Sequence, residues 1–319
     1  MHRASTVPTR RSPVPLLALL LWFAAACGGG SAGQSATAPP ASAPPDAAGG
    51  TLTVSAIPDQ DPQELQRLYD LVADHLERAV GVPVEYVPVT DYNAAVRLFR
   101  SGDLDLVWFG GLTGVQARLQ TPGAEVLAQR DIDAEFHSVF IVNDATGLDP
   151  VDDVGGLTAL AGLRSTFGSE SSTSGRLMPQ HFLDQAGVGQ DDFAGTPGFS
   201  GSHDKTIDLV ESGSFEAGVL NEQVWTARTE AGRVDESKVR VFLRTPEYHD
   251  YHWIIGPSAT ERFGDGIAGE VRDALLDLSP DDERDAQVLD LFGAQRFIPA
   301  QASDYDEIEQ VARDLGLVQ

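Results

Sequence analysis

One stretch of the chain is suited to binding an anion because it places four hydroxyl side chains in a row. These residues, called the hydroxyl run below, are Ser171, Ser172, Thr173 and Ser174. They follow an apolar run at 163–167 that predicts a strand, and they precede apolar residues at helical spacing from Leu177 onward. The first N–H groups of a helix lack intrahelical partners, and the helix dipole adds partial positive charge there. The pattern predicts an anion site of neutral donors, with an ordinary helix N-cap as the alternative.

Further polar side chains fall where predicted strands end and predicted helices begin. Tyr92 lies in the first turn of a helix that starts after Thr90, His203 opens another helix, and Asn221 follows a strand. The hydroxyl, imidazole and amide of these residues are all able to donate hydrogen bonds to an anion. Each also has a structural alternative: an aromatic ring packed on a sheet, a surface histidine and a helix cap.

Two aromatic residues complete the candidate ligand-binding set. Trp108 ends a predicted strand ahead of two glycines, where a core position is the alternative, and Tyr251 lies in an extended run rich in polar aromatics. His249 and His252 in that run are three residues apart, which points their side chains to opposite faces of an extended chain. The sequence therefore predicts no metal site there.

Residues 51–319, which follow the predicted tether, lack common enzyme motifs where these would act. This part of the chain contains no G-x-S-x-G nucleophile elbow, no phosphate-binding G-x-x-x-x-G-K-[ST] loop and no G-x-G-x-x-G directly after the first predicted strand. Ser174, His203 and Asp204 include the residue types of a catalytic triad, but adjacent histidine and aspartate are poorly placed for the aspartate to orient the imidazole. We expect neither an enzyme nor a bound cofactor.

The elements that must position these side chains alternate as strand and helix. This alternation predicts an α/β fold with a mainly parallel sheet, repeated in two rounds along the chain. Extended runs at 136–142 and 239–253 join the rounds, which predicts two lobes linked by two crossing strands. We expect one lobe to contain residues 51–138 and 250–319, and the other to contain residues 139–249. Ligands of such sheets bind at the carboxyl ends of strands, here in the cleft between the lobes.

The N-terminus has the pattern of an export signal. Three arginines precede a short apolar run at 14–26, and three alanines lead to Cys27, the single cysteine of the chain. We predict a signal peptide at 1–26 and a lipid anchor on Cys27, with an unlipidated signal peptide as the alternative. The segment 27–50 is rich in Gly, Ser, Ala and Pro and predicts a flexible tether.

The charge balance excludes some partners. The 319 residues include 48 Asp and Glu against 22 Lys and Arg, a formal net charge of −26. A nucleic acid requires a basic surface, so we expect no nucleic-acid partner. An anionic ligand would have to be held by local donors against the overall field of the protein.

Several stretches together resemble one protein family. They are residues 87–111, 167–179, 199–225 and 240–253, which contain TDY, SSTSG and SG-x-HD in that order. The chain resembles the substrate-binding proteins of ABC importers for phosphonate, phosphite and similar oxyanions, and within that group a branch labelled selenate-binding. The resemblance implies a two-lobed type II periplasmic-binding-protein fold. It also implies that the oxyanion contacts Ser172, Thr173, Ser174, Tyr92 and His203.

The resemblance also bears on the ligand and the partners. Members that take aminoalkyl phosphonates use acidic residues for the amine, but this chain has Gln223 near one such position and only Asp250 near the other. We therefore expect a small tetrahedral oxyanion such as phosphite, a phosphonate or selenate. The implied protein is a monomer, held by its lipid at the extracytoplasmic face, that delivers the anion to an ABC permease. A ligand-sensing lipoprotein of the same fold is the alternative.

Overall fold

The computed structural model describes residues 50–318, which lie within one compact unit. The predicted signal peptide, Cys27 and the predicted tether up to residue 49 lie outside these residues. Among the helices that the structure describes, none is both long enough and apolar enough to cross a bilayer.

The described residues form eleven strands and ten α-helices. The strands are β1 (Leu52–Ala56), β2 (Val84–Tyr86), β3 (Leu106–Phe109), β4 (Glu125–Arg130), β5 (Ser138–Asn143), β6 (Ser165–Phe167), β7 (Gly198–Phe199), β8 (Ala217–Asn221), β9 (Val239–Arg244), β10 (His252–Ile255) and β11 (Phe297–Pro299). The helices are α1 (Pro62–Val80), α2 (Tyr92–Ser101), α3 (Gly111–Gln120), α4 (Met178–Gln185), α5 (His203–Glu211), α6 (Glu222–Glu230), α7 (Pro257–Phe263), α8 (Ile267–Leu276), α9 (Glu283–Phe292) and α10 (Asp306–Asp314).

The strands form two sheets, and each sheet is the centre of one lobe. The sheet of lobe 1 has the order β11-β4-β10-β3-β1-β2, and the sheet of lobe 2 has the order β7-β6-β8-β5-β9. Both lobes are α/β, as predicted, which confirms the two-lobed architecture. The predicted residue limits of the lobes stay a prediction.

Both sheets are mixed, whereas the alternation of elements predicted mainly parallel pairing. In lobe 1, β1 pairs in parallel with β2 and β3, but β10 lies antiparallel between β3 and β4. In lobe 2, β6 pairs in parallel with β7 and β8, while β5 is antiparallel to β8 and β9. The chain crosses from one sheet to the other between β4 and β5 and again between β9 and β10, so the antiparallel strands β5 and β10 are the first strands after the two crossings.

Local sequence signals explain where the helices begin and end. Asp61 caps α1 by accepting from the N–H groups of Gln63 and Glu64, and Gly81 ends the helix in the left-handed conformation at φ 72°. The helices α7 and α8 are separate, because Gly264 between them has φ 95° and ends α7. The segment Val154–Leu160 is a 3-10 helix.

An aromatic cluster fills lobe 1 directly below the cleft. Trp253 on β10 is fully buried and packs against Trp108, with ring centroids 5.2 Å apart. Phe292 and Phe297 meet Trp108 edge-on at 5.2 and 5.9 Å. Truncating such a buried aromatic to alanine costs about 3–5 kcal/mol, so this cluster gives the lobe 1 side of the cleft a rigid base.

Candidate anion-binding site

The hydroxyl run leads into a helix whose first turn is wider than an α-helix. Ser172 is the N-cap, and its Oγ accepts from the N–H of Gly175 at 2.9 Å. A π-helical turn, Thr173–Leu177, follows and continues into α4. The N–H groups of Thr173 and Ser174 begin this turn and have no intrahelical acceptor. The predicted cap and the predicted anion site are therefore compatible, because the cap uses one N–H group and leaves others available.

Two glycines allow the end of β6 and the start of this helix to touch. The N–H of Gly168 donates to the carbonyl of Gly175 at 2.8 Å. A Cβ atom added to Gly175 would lie 3.0 Å from Ser172 Oγ and 3.3 Å from His203 Cε1. Gly175 therefore permits the hydroxyl run and the imidazole of His203 to approach each other closely.

Hydrogen bonds between the lobes close the cleft over the hydroxyl run. The N–H of Leu112 in lobe 1 donates to Thr173 Oγ1 at 2.9 Å, and Ser171 Oγ donates to Asn93 Oδ1 at 2.9 Å. The N–H of His203 donates to the carbonyl of Asp59 at 3.0 Å. These contacts join the two lobes over the hydroxyl run, so the cleft is closed.

Three buried polar atoms next to the hydroxyl run have no hydrogen-bond partner of good geometry among the described residues. They are Tyr92 Oη, Ser174 Oγ and Asp250 Oδ2. The hydroxyl of Tyr92 lies beside that of Ser172, and burial raises its pKa well above the usual value, so it remains a donor. A buried polar group left unpaired costs about 1–3 kcal/mol. A small ligand with several oxygen atoms would satisfy all three.

Asp250 faces the same place from the second crossing. Its Oδ1 accepts from the N–H of Gly111 at 2.9 Å, and its carboxyl group lies beside the hydroxyls of Thr173 and Ser174. Burial raises its pKa to about 7, and the Gly111 N–H partly opposes this rise. The group is therefore poised near neutral pH between a carboxylate, which only accepts, and a carboxylic acid, which also donates.

His203 lies at the start of α5 and is fully buried. Burial lowers its pKa to about 3, so its ring is neutral at pH 7. The N–H of Asn221 points at Nδ1 over 3.4 Å, which leaves Nε2 to carry the proton. Its Nε2 is 3.4 Å from the hydroxyl of Tyr251. A neutral imidazole in this tautomer offers one N–H donor to the cleft.

Tyr251 and Asn221 belong to a hydrogen-bond network beside His203. The hydroxyl of Tyr251 donates to Asp59 Oδ2 at 2.8 Å and accepts from Asn221 Nδ2 at 3.1 Å. Asn221 Oδ1 also caps α6. Burial raises the pKa of Asp59 to about 6, with the Tyr251 hydroxyl as the main opposing influence. Both predicted site residues thus direct their polar atoms to this network.

The last of the predicted site residues, Trp108, is buried in the core of lobe 1. Trp108 is the second-last residue of β3, and its ring stacks on that of Tyr251 at 5.8 Å, within the aromatic cluster of lobe 1. A core position was the alternative to a ligand contact in the interpretation of Trp108 from the sequence. Ligand contacts of the predicted residues stay a prediction. No group of three or more His, Cys, Asp or Glu side chains between residues 50 and 318 is arranged to hold a metal ion.

Two residues that sequence reasoning missed support the site from behind. Ser138 Oγ donates to the carbonyl of Ser174 at 2.7 Å and lies 2.6 Å from the hydroxyl of Tyr248. Arg130 is buried and forms two hydrogen bonds with Asp133, at 2.7 and 2.6 Å. Both residues occupy strand termini, at the start of β5 and the end of β4. Their position next to the predicted crossing was the only signal for them.

Comparison with known proteins shows the family of the chain. The profile of the family described as "ABC transporter, phosphonate, periplasmic substrate-binding protein" matches residues 54–305. The chain belongs to this family, whose members are extracytoplasmic binding components of importers and not enzymes.

Individual relatives support the assignment. The chain is 50% identical over 268 residues to the probable ABC transporter phosphite binding protein PhnD1 of Prochlorococcus marinus strain MIT 9301, covering 84% of this chain and 90% of that protein. The solved structure of that PhnD1 with methylphosphonate matches with a TM-score of 0.82 at 49% identity, over 84% of this chain and 99% of the other. A binding protein of a phosphonate transporter from Pseudomonas aeruginosa shares the fold at 17% identity, with a TM-score of 0.69 over 82% and 85% of the two chains.

Proposed function

We propose that this protein captures a small tetrahedral oxyanion of phosphorus, with phosphite and methylphosphonate as its ligands, and delivers it to the permease of an ABC importer. The PhnD1 of Prochlorococcus supports this choice of ligands, because its name calls it phosphite binding and its solved structure holds methylphosphonate. Both favour phosphorus over the selenate suggested by the sequence resemblance.

The observation that carries the proposal is the set of unpaired donors around the hydroxyl run. Tyr92 Oη and Ser174 Oγ are buried without hydrogen-bond partners between residues 50 and 318, and two backbone N–H groups begin the adjacent turn. These groups are neutral, so local hydrogen bonds must hold the ligand against the field of a protein with a net charge of −26. Several N–H and O–H donors in a closed cleft stabilise an anion without a full countercharge.

Asp250 gives the proposed site a preference for oxyanions that share a proton. A carboxyl group with a pKa of about 7 either donates to a deprotonated ligand oxygen or accepts from a protonated one. Oxyanions of phosphorus exist near neutral pH in both forms, so one proton between the ligand and Asp250 satisfies both groups.

A binding screen tests the proposed ligands. We expect phosphite and methylphosphonate to raise the thermal stability of the protein most, among phosphite, phosphate, methylphosphonate, selenate, selenite and sulfate. A ligand at 100 times its Kd stabilises the folded protein by about 2.7 kcal/mol. A larger shift with selenate or sulfate at equal concentration would overturn the phosphorus assignment.

We also propose that a lipid on Cys27 holds the protein, as a monomer, at the extracytoplasmic face of the membrane. A Cys27→Ser variant should then appear in the soluble fraction, because an acyl anchor requires the thiol. Continued fractionation of this variant with membranes would refute lipidation. Uptake of labelled phosphite by vesicles that contain the permease separates transport from the sensing alternative, which needs no uptake.

A further inference from the structure

A second space lies next to the proposed anion site. A cavity of about 400 Å³ opens between the lobes, and we call it the annex. Asp59, Asn221, Tyr251 and Trp108 line it, whereas the hydroxyl run, Tyr92 and His203 do not. The annex and the proposed anion site are therefore neighbouring spaces on opposite sides of the network formed by Asp59, Asn221 and Tyr251.

Tyr251 is the central member of this partition. On one side its hydroxyl is 3.4 Å from Nε2 of His203, and on the other side the residue lines the annex. Its ring is held on several faces: it stacks on Trp108 at 5.8 Å, meets Phe136 edge-on at 5.6 Å and lies 5.0 Å below the guanidinium of Arg130. Its hydroxyl also donates to Asp59. A ring restrained in this way cannot turn aside cheaply for a larger ligand.

We propose that Tyr251 is a specificity-determining wall, which limits the substituent on the bound phosphorus to about the size of a methyl group by separating the proposed anion site from the annex. The inference rests on the proposed function and deepens it. The wall excludes longer phosphonates by its volume. Removing the ring joins the two spaces and gives a longer substituent room.

The lining of the annex indicates which longer phosphonates would then fit. It carries four carboxylates, on Asp59, Glu222, Glu230 and Asp290. Its one arginine, Arg130, is already paired with Asp133, and Glu222 is paired with Arg244. Leu65, Leu68 and Leu291 add apolar surface. A short apolar chain that ends in an ammonium group matches this lining, whereas a chain that ends in a carboxylate is repelled.

Wild-type protein provides the first test. Affinities for phosphite, methylphosphonate, ethylphosphonate and propylphosphonate are measured by calorimetry. The affinity should be at least tenfold lower for ethylphosphonate than for methylphosphonate. A gradual decline or tight binding of propylphosphonate would overturn the wall. If the wild type binds neither phosphite nor methylphosphonate, the proposed function fails and the wall falls with it; if it binds them without the step, the wall alone fails.

Variants of Tyr251 provide the second test, scored by the ratio of two affinities within one protein. Tyr251→Ala should raise the affinity for 2-aminoethylphosphonate, relative to that for methylphosphonate, at least tenfold. The relative affinities for propylphosphonate and 3-phosphonopropionate should rise less. Tyr251→Phe keeps the ring and should keep the wild-type ratio. Leu291→Ala enlarges the annex without opening the wall and should also keep it. An unchanged ratio in folded Tyr251→Ala, or the same gain in Tyr251→Phe, would refute the proposal.

Discussion

The two walls of the cleft have opposite chemistry. The lobe 2 wall presents the hydroxyl run and the N–H groups at the start of a helix, all of them neutral donors. The opposite wall presents two carboxyl groups, Asp59 from lobe 1 and Asp250 from the second crossing, and burial raises the pKa of both, to about 6 and about 7. The site proposed for an anion therefore has most of its donors on the lobe 2 side and its carboxyl groups opposite, where Tyr92 on α2 is the donor that lobe 1 contributes.

The repulsion between two charges is large compared with one hydrogen bond, so the binding of an anion depends on whether Asp59 and Asp250 are protonated. Two unit charges about 4 Å apart repel by about 4 kcal/mol at an effective dielectric constant of about 20. A neutral hydrogen bond contributes only about 0.5–1.5 kcal/mol. One ionised Asp250 beside the ligand would thus offset several donors of the lobe 2 wall. The donors of the lobe 2 wall supply the affinity for the anion. The protonation state of Asp59 and Asp250, called the acid wall below, decides whether the anion binds with that affinity.

The largest expected effect comes from removing hydroxyl donors of the lobe 2 wall, which is called the donor wall below. Ser172→Ala combined with Thr173→Ala deletes two hydroxyls, the N-cap bond to Gly175 and the acceptor for Leu112. We expect the affinity for methylphosphonate, measured by calorimetry, to fall at least tenfold, which is about 1.4 kcal/mol.

A matched pair of hydroxyl deletions controls for this experiment. Thr158 and Ser212 lie on lobe 2, and each hydroxyl donates to a carbonyl within its own turn. The Thr158→Ala, Ser212→Ala variant should bind as the wild type does. Unchanged affinity in the variant of Ser172 and Thr173 would contradict the assignment of the donor wall.

The donor wall was predictable from the sequence because it is local. Four adjacent hydroxyls between a strand and a helix signal a helix start without knowledge of the fold. Tyr92 and His203 follow the same logic, and the structure brings both next to the hydroxyl run. The two-lobed α/β fold was also predictable, since the alternation of strands and helices carries it.

The acid wall was not predictable, because it depends on distant pairings. Asp59 meets Tyr251 across 192 residues, and Gly111 meets Asp250 across 139. A raised pKa arises from burial, which only the closed fold creates. The mixed sheets escaped prediction for a similar reason: β10 inserts between β3 and β4, and its neighbours in the sheet are far away in the sequence.

The second prediction concerns how the affinity for methylphosphonate depends on pH through the carboxyl group of Asp250. Because the pKa of Asp250 is about 7, this group ionises and repels the anion as the pH rises above 7. Wild-type affinity for methylphosphonate should fall by up to about tenfold per pH unit there, the limit for release of one proton. Asp250→Asn cannot ionise and should show a flatter profile between pH 6 and 9. The titration of the free ligand is the same for both proteins, so the difference between the profiles reports the carboxyl group of Asp250 and the proton that it shares with the ligand.

The same substitution has a consequence for stability without ligand. The folded pKa lies above the unfolded value of 3.8, so the folded state retains a proton that the unfolded state releases between about pH 4 and pH 7. The free energy of unfolding therefore falls as the pH rises through this window. Asp250→Asn should reduce the fall in melting temperature from pH 5 to pH 8, whereas Asp277→Asn on the surface should not. Identical slopes in all three proteins would show that Asp250 does not titrate here.

The smallest effect is expected at the seam where the two walls meet. Ser171 belongs to the hydroxyl run, but its Oγ donates across the cleft to Asn93 Oδ1 at 2.9 Å, at a partly buried position. If its role is closure, Ser171→Ala should weaken methylphosphonate binding only about two- to fivefold, which corresponds to about 0.5–1 kcal/mol for one neutral hydrogen bond. Asn93→Ala should cost the same, and the double variant should cost no more than either, because both remove one bond. A loss at Ser171 as large as that of the Ser172 and Thr173 variant, without coupling to Asn93, would instead make Ser171 a direct donor to the anion and move it from the seam to the donor wall.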